Sequence, residues 1–139
     1  MENQRKYNNL SKLVEKLKKS EDPKRKYEYI LWLGKKLKAP DNEILVEENK
    51  VKGCVSEVFV KANIKGGKLL WEGYSDALIT KGLLAFLING LNELTPNEVI
   101  KIDKKFIEDT GLRSSLTPSR SNGFLNILLK MKSQANEFL

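Results

Sequence analysis

Apolar residues recur at Leu10, Leu13, Val14 and Leu17, the i, i+3, i+4, i+7 spacing of an amphipathic helix. Ser20 to Pro23 interrupts the pattern. Asp22 and Pro23 then open a second helix, with an acceptor at the N-cap and proline at the first helical position. Its apolar face is expected to carry Tyr27, Ile30, Leu31, Gly34 and Leu37, and it ends before Pro40. Two helices joined by so short a break are expected to pack as a hairpin that buries both stripes. Residues 39–49 are rich in Pro, Asp and Asn and read as a loop.

Beyond this loop the period falls to two. Val58, Val60, Ala62 and Ile64 alternate with Glu57, Phe59, Lys61 and Asn63, which predicts a strand. Lys65-Gly66-Gly67-Lys68 is a tight turn, and Leu69 to Tyr74 returns as the partner strand. A shorter strand at Lys50 to Lys52 is expected to add to the sheet edge, which places Gly53 and Cys54 at a strand connection. Ser75 and Asp76 then cap a helix running through Leu91, apolar on all sides and therefore buried on the sheet. Thr95-Pro96-Asn97-Glu98 is a capping box that starts a short helical stretch through Val99, Ile100, Ile102, Phe106 and Ile107, ending near Gly111. Thr117-Pro118-Ser119-Arg120 opens the last helix, whose apolar face holds Phe124, Leu125, Ile127, Leu128 and Met131. The order ααβββααα predicts a single α+β domain over residues 1–139, with a small antiparallel three-stranded sheet packed against helices.

Charge is unevenly placed along this frame. Residues 1–40 hold 12 Lys+Arg against 5 Asp+Glu, whereas the rest of the chain holds 13 of each. Such a basic segment suits nucleic acid, a membrane surface or an acidic protein partner, or is simply a solvated helix face. No nucleic-acid-binding motif accompanies it, and the solvated face is the plainer reading. The N-terminus has no apolar signal stretch, and the most apolar segment, 77–91, is interrupted by Thr80, Lys81, Gly82, Asn89 and Gly90. With one cysteine and no internal disulfide, the chain is expected to be cytoplasmic, bound neither to membrane nor to nucleic acid.

What the chain lacks narrows the chemistry. It has no histidine, so it cannot assemble a Ser-His-Asp or Cys-His arrangement. One cysteine and no histidine cannot hold structural zinc or, in a single chain, an iron–sulfur cluster. No phosphate-cradling glycine motif is present. Chemistry is left to Cys54 or to carboxylate, lysine and hydroxyl groups. A free cysteine often packs as a small hydrophobe. Against that, Gly53 frees the backbone before Cys54, while Lys50 and Lys52 would favour the thiolate and Glu57 would oppose it.

Four stretches carry a resemblance: KYEYILWLGKKL (26–37), VKGCVSEVFV (51–60), EGYSDALITKGLLA (72–85) and LTPSRSNGF (116–124). In order and spacing they are similar to the SufE family of sulfur acceptors, which includes the CsdE relatives. The resemblance implies that Cys54 accepts a persulfide sulfur from a SufS-type cysteine desulfurase, whose own cofactor is pyridoxal phosphate, and stimulates that enzyme. The sulfur then passes toward iron–sulfur cluster assembly, to a SufB-like scaffold or another acceptor. It implies no cofactor on this chain, and an α+β fold like that of the IscU-type scaffolds.

Gly53, Ser56, Ser75, Asp76 and Arg120 fall in the matching blocks as residues that shape the loop or meet the partner. Ser56 is expected to hydrogen-bond within the loop and Asp76 to cap its helix. Arg120 stands as a cation at a helix start, balanced by Asp76 or by a carboxylate of the partner. Tyr74 departs from the acidic residue of several relatives, which bears on stimulation of the desulfurase. A persulfide needs shelter from reductants and oxidants, so Cys54 is expected to rest among Val55, Val58 and leucines of the buried helix. Two other readings remain: a regulatory module that activates a desulfurase without carrying sulfur, and a basic nucleic-acid-binding domain.

Overall fold

A computed structural model describes residues 8–139; the first part of the basic N-terminal segment, residues 1–7, lies outside the described residues. Helix α1 (Asn8–Lys18) and helix α2 (Pro23–Lys35) follow the expected spacing, and Asp22 caps α2 by accepting from the Lys24 N–H. Leu10, Val14 and Leu17 are buried as expected. On α2 Ile30 and Gly34 are buried as expected and Leu31 and Leu37 pack partly buried against the core, but Tyr27 is exposed, and Lys26 and Leu33 join the buried face. The two helices do not form a self-contained hairpin. Both pack chiefly on helix α3 (Leu78–Leu91), which supplies far more apolar surface than either offers the other. The loop between α2 and the sheet contains two short 3₁₀ turns, Asn42–Ile44 and Glu47–Asn49, and Ile44 is buried.

Strands β1 (Val58–Lys65) and β2 (Lys68–Ser75) form an antiparallel hairpin running from the Val58–Ser75 pair to the Lys65–Lys68 pair. Gly66 and Gly67 turn it with φ of 59° and 78°, a left-handed pair that residues with a Cβ adopt poorly. The expected third strand is not formed. Lys50 makes a single bridge to Phe59, and the Val51 N–H donates to the Val58 carbonyl at 2.8 Å. The 3₁₀ turn before Lys50 and the left-handed Gly53 after it (φ 81°) leave too little extended chain for a ladder.

Side chains and loop backbone close the sheet edges in its place. The Gln134 amide donates to the Val60 carbonyl at 2.7 Å and accepts from the Ala62 N–H at 2.8 Å. On the other edge the Leu69 N–H donates to the Leu94 carbonyl, and the Trp71 N–H donates to the Asn92 side chain. An uncovered strand edge is a template for aggregation, which these contacts remove.

Helix α3 lies between α2 and the sheet, and its apolar circumference is buried as its composition predicts. Gly34 and Gly82 set the α2–α3 crossing: a Cβ on Gly82 would run into the Ile30 carbonyl, and one on Gly34 would come within 2.8 Å of the Gly82 nitrogen. The capping box at Thr95 and Glu98 is present. The helical stretch it starts divides into α4 (Pro96–Lys101) and α5 (Lys105–Asp109), where the Asp103 carboxylate accepts from the Lys105 N–H and begins a new turn. Helix α6 (Pro118–Asn136) crosses the sheet, capped by the Thr117 hydroxyl, and its Phe124 meets Phe86 edge-on at 5.7 Å. The architecture is therefore α+β with a two-stranded sheet. Among the described residues no helix is long and apolar enough to cross a membrane.

Candidate functional site

Cys54 sits at the apex of the loop between the Lys50 bridge and β1, half-buried and packed against the edge of the core. The left-handed Gly53 directs the chain into this apex. A Cβ there would also press on the Asn126 amide, which donates to the Gly53 carbonyl at 3.2 Å. The thiol faces α6, with Sγ 3.8 Å from the Gly123 carbonyl, a weak S–H contact. A Cβ on Gly123 would lie 3.5 Å from Sγ, so the bare backbone of α6 forms one wall of the recess. The recess differs from the expected one: Val55 points away and is 74% exposed.

The C-terminal half of the loop is held by a polar cluster. Arg120 donates to the Ser56 hydroxyl and, at 2.6 Å, to the Thr80 hydroxyl, and Thr80 itself is buried. Ser56 thus bonds across to α6 and α3. The Glu57 N–H donates to the Asp76 carboxylate at 3.0 Å, and the Asp76 N–H returns to the Glu57 carbonyl. Asp76 is therefore neither the helix cap nor the partner of Arg120. The N-cap position of α3 is Ala77, without a side-chain cap, and the buried Ser75 accepts from the Ala77 N–H. An acceptor that reaches across to the loop backbone is not free to cap its own helix, and a guanidinium already engaged by two hydroxyls needs no carboxylate.

Of the six residues expected at the site, the structure brings together Gly53, Cys54, Ser56 and Arg120, with Asp76 and Ser75 anchoring the end of the loop. Thr80, Gly123 and Asn126 were not legible as members. Gly123 inside a helix was the available signal, because a mid-helix glycine that costs propensity marks a close approach.

Burial pushes the Cys54 thiol above its ordinary value, and the Arg120 guanidinium draws it partly back. The cation beside the thiol is thus Arg120 from a distant helix, not the neighbouring Lys50 or Lys52. At neutral pH the resting group is a protonated, weakly nucleophilic thiol. Because the folded value lies above the unfolded one, the thiol's contribution to stability is complete below the unfolded value and is lost as pH rises through the folded value. Alkylation of the folded protein by iodoacetamide is expected to rise with pH to an inflection above that measured for the chain in urea. Coincident inflections would show that the recess does not desolvate the thiol.

Asn126 offers a second measurement. A hydrogen bond has a net worth of about 1 kcal/mol, so Asn126→Ala is expected to loosen the loop and speed Cys54 alkylation about fivefold. An unchanged rate would mean that Asn126 does not restrain it.

The family pattern described as SufE, Fe-S metabolism associated domain, matches residues 11–135. An uncharacterized SufE-like protein of Synechocystis is 50% identical over 130 residues, covering 94% of this chain and 82% of that protein. SufE-like protein 1, chloroplastic/mitochondrial, of Arabidopsis thaliana is 39% identical over 127 residues, 91% of this chain and 34% of that protein. The cysteine desulfuration protein SufE of Plasmodium falciparum is 34% identical over 115 residues, 79% of this chain and 46% of that protein. This chain thus spans less than two thirds of the length of the Arabidopsis and Plasmodium proteins. In three dimensions it is similar to a hypothetical protein of Thermus thermophilus solved in solution, with a TM-score of 0.80 over 93% of this chain and 94% of that one, at 25% identity. A family pattern that spans almost all the described residues, joined to a relative sharing half its positions, places the lone thiol and its clamped loop in a known lineage: the chain belongs to the SufE family.

Proposed function

We propose that this chain is a sulfur-transfer accessory protein whose Cys54 takes a persulfide sulfur from a SufS-type cysteine desulfurase and delivers it toward iron–sulfur cluster assembly. The observation that carries this reading is the solitary half-buried thiol on a loop gripped from both sides by α6. The names of the Plasmodium relatives, cysteine desulfuration proteins, support the choice of partner.

The chemistry needs little else from this chain. The Cys54 thiolate attacks the outer sulfur of the donor persulfide, a new S–S bond forms at Cys54, and the donor thiolate leaves with the electron pair of the broken bond. No net oxidation or reduction occurs, and the electrophilic sulfur comes from the desulfurase. The resting recess keeps the thiol protonated and sheltered. Reaching a donor requires the loop to release Asn126 and Arg120. Val55 and Leu78, 74% and 71% exposed, flank the loop and supply apolar contact for a partner. A cytoplasmic site suits an unpaired thiol, and a SufB-like scaffold is a suitable recipient. Tyr74 packs its ring against Phe59 beside this surface, where an acidic residue would present charge instead.

Incubation with a cysteine desulfurase, pyridoxal phosphate and cysteine, followed by intact mass measurement, tests the reading. The expected result is a gain of one sulfur atom, released by a reductant and mapped to the peptide containing Cys54. Stimulated turnover with no sulfur on the protein would replace the carrier with a regulatory module.

A further inference from the structure

Thr80 is the one polar side chain at a buried position of α3, and it is 3% exposed. A hydroxyl at that depth needs partners. Threonine in a helix often spends its hydroxyl on a carbonyl one turn back. Thr80 does not, and both of its hydrogen bonds leave the helix. It accepts from Arg120 Nη1 at 2.6 Å and donates to the Ser56 hydroxyl at 3.4 Å.

Arg120 donates to Ser56 from the same nitrogen, so the three side chains close a triangle between the Cys54 loop, α3 and α6. No carboxylate holds the guanidinium there: among the described residues none pairs with Arg120. It also stands in the first turn of α6, where the helix dipole disfavours a cation. The two hydroxyls are what keep it in place.

Those hydroxyls differ in what carries them. Ser56 moves with the loop, whereas Thr80 is fixed in α3 between buried Ile79 and Leu83. If Arg120 followed a departing Ser56, the Thr80 hydroxyl would be left buried without a partner, which is costly. The contact that opens is therefore Ser56 to Arg120, and the guanidinium remains on α3. We propose that Thr80 is a positioning residue for sulfur acceptance: its buried hydroxyl pins Arg120 to α3, and the pinned guanidinium, through Ser56, draws the Cys54 loop into its resting position. This deepens the sulfur-acceptor reading and rests on it, since a thiol that must reach a partner needs a fixed place to return to.

Iodoacetamide alkylation of Cys54 in the full chain tests the clamp. Rates are compared per thiolate, with the thiolate fraction taken from each variant's own pH series, so that access is read apart from acidity. Thr80→Val keeps the shape and removes the hydroxyl, and is expected to speed alkylation about fivefold, the loss of roughly one hydrogen bond. Thr80→Ser returns the hydroxyl and restores the parental rate. Arg120→Met keeps the stem and loses the guanidinium; it speeds alkylation by itself, and adding Thr80→Val to it changes nothing further. Should Thr80→Val also lower the urea midpoint, this background still separates the two roles, because lost packing acts with or without Arg120. A parental rate in Thr80→Val, fast alkylation in Thr80→Ser, or an undiminished effect of Thr80→Val beside Arg120→Met would each overturn the proposal. No desulfurase takes part, so failure of the clamp leaves sulfur uptake by Cys54 standing, and failure of sulfur uptake leaves these rates as they are.

Discussion

Replacing Cys54 with serine is expected to leave a folded protein that takes up no sulfur at all. Serine differs from cysteine by one atom, and the position is only half-buried, so the stability cost is about 1 kcal/mol or less. Its hydroxyl can still face the Gly123 carbonyl, and the Asn126 and Arg120 contacts to Gly53 and Ser56 do not involve Sγ. Transfer is different in kind. A neutral hydroxyl has neither the thiolate's nucleophilicity nor the ability to hold a persulfide, and no second thiol exists in the chain to take over. After incubation with the desulfurase, the Cys54→Ser protein should show the mass of an untreated sample. Stimulation of cysteine turnover beyond that of the desulfurase alone should vanish with it. Sulfur uptake by this variant would refute the assignment of Cys54, whereas surviving stimulation without uptake would leave the chain as a regulatory module.

The second large effect concerns the fold alone. Gly82→Ala is expected to lower stability by about 2 kcal/mol, although alanine is the better helix former by about 1 kcal/mol. The reason is the neighbour. An added Cβ at Gly82 points at the carbonyl and Cγ2 of Ile30, and α2 cannot retreat without opening its contact with α3 along both helices. Gly90 on the same helix is the internal comparison. A Cβ there meets the end of the Leu10 side chain, which can change rotamer, so Gly90→Ala should cost distinctly less. Urea unfolding with unchanged slopes measures both. Equal costs at the two positions, or a Gly82→Ala protein as stable as the parent, would mean that the helix crossing is looser than its geometry indicates.

Much of the architecture was legible because local rules and tertiary packing agree. The Gly66-Gly67 turn, the proline starts of α2, α4 and α6, and the capping box at Thr95 each act within a few residues, and each stands where the pattern puts it. Local reading failed where the deciding partner is remote. Lys50 to Lys52 has strand character, but it makes only the Lys50–Phe59 bridge, and the β1 edge beyond Phe59, at Val60 and Ala62, is taken by Gln134 near the end of α6. Tyr27 belongs to the apolar stripe of α2 by spacing, yet the buried position goes to Lys26, whose ammonium donates to the Thr110 carbonyl at 2.8 Å. A lysine can be buried when its charge finds an acceptor, and spacing does not reveal one.

The site divides along the same line. Sequence by itself determined that any thiol chemistry must run through Cys54, without a histidine partner, and that a glycine precedes it in its loop, because the chain has no second cysteine and no histidine. It also determined the family, since four separated blocks agree in order. Only the tertiary structure decided what surrounds the sulfur: bare backbone at Gly123, an amide from Asn126, and a guanidinium that reaches Ser56 and Thr80 instead of Asp76. Those neighbours come from α3 and α6, far along the chain from Cys54. Their meeting depends on how the helices cross the sheet, a property of packed surfaces that no local pattern encodes.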